Sequence, residues 1–182
     1  MKAGPVPGNP PAGNTRIATL ALFIAIAVAL HWAESLVPHP APFLRFGLAN
    51  IITLCTIYFF GGAWGLVVVV SRVAVGSLLS GGIFSPGFAL SLCGGVTAAL
   101  VMWAMPRRLF SPVGISVAGA AAHSAAQLAL ASAIIAHASL MGLLPVFLLV
   151  SIITGMINGY AVRMIIRIMC RREGSPFSPL IS

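Results

Sequence analysis

Glu34, Arg45, Asn50, Arg72, Ser77, His123 and Gln127 are the side chains best equipped for chemistry, and each lies in or beside an apolar run. Their types suit binding: two guanidiniums, two carboxamides, a hydroxyl, an imidazole and one carboxylate. Two arginines against one glutamate make a net positive set, which suits an anionic or strongly polar ligand. An ionisable group in a membrane helix costs roughly 2.5–3.5 kcal/mol on insertion scales, so such residues are functional candidates by default.

The composition excludes several other chemistries. The 182 residues include only two acids, Glu34 and Glu173, and no aspartate. Paired-carboxylate hydrolysis and an aspartate-held magnesium site are therefore ruled out. There is no G-x-x-x-x-G-K-[ST] loop for ATP. Cys55, Cys93 and Cys170 lack metal-ligand spacing and read as small buried hydrophobes. Four scattered histidines make no metal site, and His123-Ser124 has no acid at its depth to complete a nucleophile-base pair. No enzyme activity and no cofactor are expected. His31, His39 and His137, near the outer interface or in an outer loop, read as incidental.

The elements that position these residues must be membrane helices. Hydrophobic residues make up 59% of the chain and charged residues only 7%, against roughly 25% charged in a soluble domain. A spanning helix takes about 20 residues. The expected class is all-α, a polytopic integral membrane protein with six transmembrane helices at about 16–37, 47–61, 62–80, 87–105, 113–136 and 142–169. The expected domains are a disordered N-terminal tail (1–15), a six-helix transmembrane domain (16–169) and a cytoplasmic C-terminal tail (170–182). Breaks fall at Pro38, Pro40 and Pro42, at Gly61-Gly62, at Gly81-Gly82 with Ser85-Pro86, and at Ser111-Pro112.

The net charge of +8 belongs mostly to residues flanking these spans, so it reads as topology and not as nucleic-acid binding. Lys2, Arg16, Arg107, Arg108, Arg163, Arg167, Arg171 and Arg172 fall on one side and Arg45 on the other, which predicts cytoplasmic termini. At about 1.5 Å per residue, Glu34, Arg45, Asn50, Arg72, Ser77, His123 and Gln127 share the outer half, and Asn158 alone lies clearly in the inner half. A polar cavity opening outward is expected, closed over by the loop at 38–46. Each member also has a purely structural reading. Glu34 could form an ion pair with Arg45 or Arg72, Asn50 and Gln127 could join helices, and His123 could be a satisfied core histidine.

Small residues recur at helical spacing: Ala21, Ala25, Ala29 and Ala33 on the first helix, Ala121, Ala125, Ala129 and Ala133 on the fifth, and Gly155 with Gly159 on the sixth. They serve helix packing or, on the first helix especially, docking of another membrane subunit. Trp32, Trp64 and Trp103 read as interfacial anchors, and Phe84 as a packed aromatic or a cover for ligand.

Three segments carry a family resemblance. They are Glu34-Ser35-Leu36-Val37-Pro38 with Arg45-Phe46-Gly47-Leu48-Ala49-Asn50-Ile51; Ser71 to Leu79 with Phe84-Ser85; and Phe110-Ser111 running to Val117-Ala118-Gly119-Ala120-Ala121-Ala122-His123 with Gln127-Leu128. Together they resemble the membrane family called heptaprenyl diphosphate synthase component I, or the Gx transporter family, over roughly residues 16–169. That pattern often has Asn-Leu-Gly-Gln after the histidine, where this chain has Ser124-Ala125-Ala126-Gln127. Prenyl elongation uses aspartate-rich motifs, which a chain without aspartate cannot supply as a catalytic subunit.

The six helices, polar cavity and alanine stripe also resemble the S component of energy-coupling factor transporters. That resemblance implies a bacterial inner-membrane subunit for uptake of a small polar or anionic cofactor precursor. Its partners would be the lipid bilayer, the small-molecule ligand and a membrane coupling subunit with ATPases, and no nucleic acid. The alternative is a non-catalytic accessory subunit in isoprenoid or quinone (heptaprenyl diphosphate) metabolism.

Overall fold

The computed structural model describes residues 13–36 and 47–171. They form six α-helices: α1 (Gly13–Leu36), α2 (Ala49–Phe60), α3 (Gly62–Leu79), α4 (Pro86–Ala104), α5 (Pro112–Ile135) and α6 (Leu144–Arg171), with a 3-10 turn at Ala138–Leu143 before α6. No strand occurs among the described residues. The chain is an all-α, polytopic membrane bundle. Five of its helices are long and apolar enough to cross a membrane, and α2 is the shorter exception.

The helix boundaries follow from local chemistry. Ser85 and Ser111 each precede a proline, and their hydroxyls accept from the backbone N–H of Phe88 and Gly114 at 3.2 Å. A serine cap followed by proline at the first helical position satisfies one exposed donor and removes another. Gly61, with φ 98°, lets the chain turn from α2 into α3 with no loop between, a backbone angle that a side chain would resist. The break expected at Gly61-Gly62 is thus a helix boundary.

The 12-residue α2 is the axis of the bundle, since it packs against all five other helices. Eight of its residues are buried: Ala49, Asn50, Ile52, Thr53, Leu54, Cys55, Thr56 and Ile57. A helix apolar on every side belongs inside a protein. Its threonines bond back along the helix, Thr56 Oγ1 donating to the Ile52 carbonyl at 2.8 Å, so no polar group is stranded.

Around this axis α4, α5 and α6 form one packed row and α1 leans on α3. The Gly155–Gly159 pair serves the α5–α6 crossing. A methyl at those positions would fall 2.7 Å from Val117 Cα and 2.5 Å from Val113 Cα, so the two backbones meet directly, as small-residue motifs allow in membranes. The outer side of α6 exposes Leu149, Ile152, Ile153, Ile157 and Met164, an apolar face suited to lipid.

Candidate functional site

The polar centre is a chain of contacts that touches every helix. It begins at Glu34, which is 5% exposed. One Glu34 carboxylate oxygen accepts from the Leu48 backbone N–H at 2.6 Å. A carboxylate at the start of α2 completes a donor the helix leaves open and sits at the favourable end of its dipole. One residue earlier, the Gly47 carbonyl accepts from the Asn50 N–H at 2.9 Å and from Asn158 Nδ2 at 3.1 Å. Gly47 has φ +69°, and a methyl there would come within 3.0 Å of Asn50 Nδ2. Glycine is required on both counts.

Asn50 Oδ1 then accepts from Arg72 Nη2 at 2.7 Å, and Arg72 is 2% exposed. A buried guanidinium needs such acceptors to offset its lost hydration. Arg72 Nη2 lies beside α4 at Gly95, 3.3 Å from where a Cβ would stand. The next residue, Gly94, faces α5: a Cβ there would meet Gln127 Cγ at 2.7 Å and His123 Cε1 at 3.0 Å. The Gly94-Gly95 pair is thus the gap through which Arg72 on one side and His123 with Gln127 on the other approach the same stretch of α4.

His123 and Gln127 are 6% and 2% exposed. Gln127 Nε2 is buried and meets no acceptor among the described residues. Ser124 is turned toward α6, its hydroxyl 2.6 Å from that of Ser151, which donates to the Phe147 carbonyl. The histidine's sequence neighbour is therefore part of the α5–α6 seam.

The expected site residues are distributed as follows. Glu34, Asn50 and Arg72 are joined through the start of α2, and His123 and Gln127 lie buried against Gly94 of α4. Ser77 is 9% exposed and belongs to the α3–α4 turn, where its carbonyl accepts from the Gly82 N–H at 2.8 Å. Arg45, with the loop at 38–46, lies outside the described residues. The alanines at 21, 25, 29 and 33 are all exposed. A groove of about 580 Å3 runs beside the first three, walled by Trp32, Val75 and Leu79.

Several expectations change. Asn158 is not apart from the others, since it grips Gly47 at the start of α2. Arg72 and His123 are about 15 and 17 Å along α3 and α5, and Asn158 about 21 Å along α6, so the three stand near the middle of their helices. His31 is no incidental interfacial group, because it is 5% exposed. Its ring fills the space over Gly76, where a Cβ would stand 2.5 Å from Cδ2. Phe84 is 89% exposed, with φ 62°, and its ring meets that of Phe88 at 6.1 Å between centroids.

The sequence profile of heptaprenyl diphosphate synthase component I matches residues 23–165. The chain belongs to that family. The match takes in α2 to α5 whole and the greater part of α1 and α6, and with them every described member of the polar centre. No curated protein and no solved structure matches the chain. For this member of the component I family, the site offers a guanidinium, an imidazole and carboxamides at mid-bundle, with its one carboxylate bonded at the α2 start. Such a set has the donors and acceptors to hydrogen-bond a polar group.

Proposed function

We propose that this chain is a non-catalytic membrane subunit that holds the polar or anionic head of a small ligand in its mid-bundle centre. The observation that carries the reading is the Gln127 amide, buried beside His123 with no acceptor among the described residues. A buried donor without an acceptor forfeits about 1–3 kcal/mol, which a ligand oxygen placed there would recover. Arg72 supplies the positive charge, and Asn50, His123 and Gln127 orient the head. Glu34 orders the α2 start, and Arg45 adds the second cation.

The family description favours placing this subunit in heptaprenyl diphosphate metabolism, as an accessory to a separate prenyl-transferring synthase. The aspartate-free sequence supports an accessory over a catalytic part.

A second reading is a substrate-capturing subunit for uptake of a small polar or anionic cofactor precursor. The exposed alanine stripe on α1 and its groove favour this reading, as a docking face for a membrane coupling subunit with its ATPases. In either case the excess of basic residues near the chain termini and α4–α5 loop supports a bacterial inner membrane with both termini cytoplasmic.

Native mass spectrometry of the detergent-purified chain tests the binding claim, and the proteins that copurify separate the two settings. A stoichiometric small molecule, lost in Arg72→Gln with the fold retained, is the expected result. Equal retention by Arg72→Gln overturns the site. A prenyl synthase partner supports the accessory setting, and an ATPase pair with a coupling subunit supports uptake.

A further inference from the structure

A second pocket lies at the other end of the bundle from the α3–α4 turn, and the mid-bundle centre does not use it. It has a volume of about 440 Å3, and its lining includes Tyr58, Ser111 and four arginines, Arg107, Arg108, Arg163 and Arg167. The packing of α5 on α6 explains the convergence. Gly159 rests on Val113, so Arg163 and Arg167, one and two turns further, stand beside the Ser111 cap of α5 on one helix face.

Arg107 is already engaged. It donates to the Ile57 and Tyr58 carbonyls at 2.6 and 3.3 Å and stacks 5.0 Å from the Tyr58 ring centroid. It therefore closes the negative C-terminal end of α2. Burial draws its guanidinium below the ordinary value, and Tyr58 opposes that shift. Arg108, Arg163 and Arg167 are exposed. Glu34, the one carboxylate among the described residues, is bonded at the opposite end of α2, and Glu173 lies outside them.

A charge bias across the membrane places arginines on one side, but it does not require four of them around one cavity. The rest of the lining is apolar, and two of its residues are exposed, Leu109 at 78% and Phe110 at 44%. Next to it, α6 presents Met164 and Ile168 at 64% and 54%. Cationic walls with an apolar rim at a membrane surface match an amphiphile with a phosphate head and a hydrocarbon tail.

We propose that this pocket binds the phosphate or diphosphate head of a membrane amphiphile, with Arg108, Arg163 and Arg167 as its ligands and Leu109 and Phe110 against the first carbons of the tail. The chemistry is shared by an anionic phospholipid and a prenyl diphosphate. The proposal stands apart from the mid-bundle reading.

The test uses the full chain in phosphatidylcholine nanodiscs. Phosphatidic acid, farnesyl diphosphate and tailless inorganic pyrophosphate are titrated separately, and binding is read by native mass spectrometry. One or both amphiphiles should bind at least tenfold more tightly than pyrophosphate, and which of them binds identifies the source. The exposed pair Arg163→Gln/Arg167→Gln should weaken that binding at least tenfold with unchanged helicity. Arg163→Lys/Arg167→Lys should recover part of it, and Arg72→Gln should leave it intact. Binding of neither amphiphile, equal binding by the glutamine pair, or pyrophosphate binding as tightly as both amphiphiles overturns the proposal.

Discussion

Arg72 on α3 donates to Asn50 on α2 across 2.7 Å in the middle of the bundle. Both residues are almost wholly buried, at 2% and 3% exposure. The bond is therefore shielded from water, and it ties the axial helix to its neighbour at the depth of the ligand-binding candidates. Removing the acceptor alone takes a hydrogen bond from a buried cation. Asn50→Leu should lower unfolding stability in detergent by about 2–3 kcal/mol. Asn50→Leu/Arg72→Met should recover part of that, because the cation is removed together with this acceptor. A double-mutant cycle reads the coupling. An additive cycle would show that the bond contributes nothing of its own.

Gln127 separates binding from packing. If its amide serves a ligand, Gln127→Leu should stabilise the empty protein by about 1 kcal/mol by removing a buried donor that lacks an acceptor. The same variant should reduce the rise in melting temperature that ligand brings. Loss of stability in the empty protein would instead make Gln127 a structural link between helices.

The Gly94-Gly95 pair sets how closely α3 and α5 approach α4. In Gly94→Ala the new methyl would stand 2.7 Å from Gln127 Cγ and 3.0 Å from His123 Cε1. Overpacking of this kind costs about 1–3 kcal/mol and moves the neighbours. Ligand affinity should fall at least tenfold, since both displaced residues line the centre. Calorimetric titration of the folded variant against the identified ligand measures this. Unchanged affinity would take His123 and Gln127 out of the site.

Bulk on α1 should affect assembly without affecting the fold. Ala25 and Ala29 are exposed and line the groove with Trp32. Ala25→Leu/Ala29→Trp should leave helicity and thermal stability within about 0.5 kcal/mol, as for other surface changes. The yield of a membrane partner in pull-down should drop sharply if α1 is the docking face. Full recovery of the partner by the variant would place docking elsewhere.

Much of the helical layout is legible in the sequence because its punctuation is chemical. Ser-Pro at 85–86 and 111–112 and the glycine at 61 are local signals, and each marks a helix end here. The polar residues are legible for a similar reason, since few side chains in an apolar chain can hydrogen-bond. Their partners are not. In hydrocarbon, the lipid-facing and the buried sides of a helix are both apolar, so periodicity does not say which faces meet. Asn158 illustrates this: counting residues along α6 gives its depth, but its bond to Gly47 depends on where α2 begins. The Gly94-Gly95 pair could have been noticed as two adjacent glycines inside a helix. His31 gave no signal beyond standing one turn from Ala27 and near Glu34 on the buried face of α1.

The central position of α2 also constrains how the protein is made. At about 18 Å for 12 residues, α2 is shorter than the roughly 30 Å hydrocarbon layer, so it is a poor candidate to leave the insertion machinery alone. Gly61 joins it to α3 without a loop, and the two would enter the bilayer as a hairpin. Until α4, α5 and α6 emerge, that hairpin carries Asn50 and Arg72 toward lipid, and Gly47 lacks the amide of Asn158. A nascent chain stopped before α6 would thus hold its most polar layer in an incomplete wrapping, recognisable to the quality-control proteases that survey membranes. α6, made after the other five, is the helix that seals the centre.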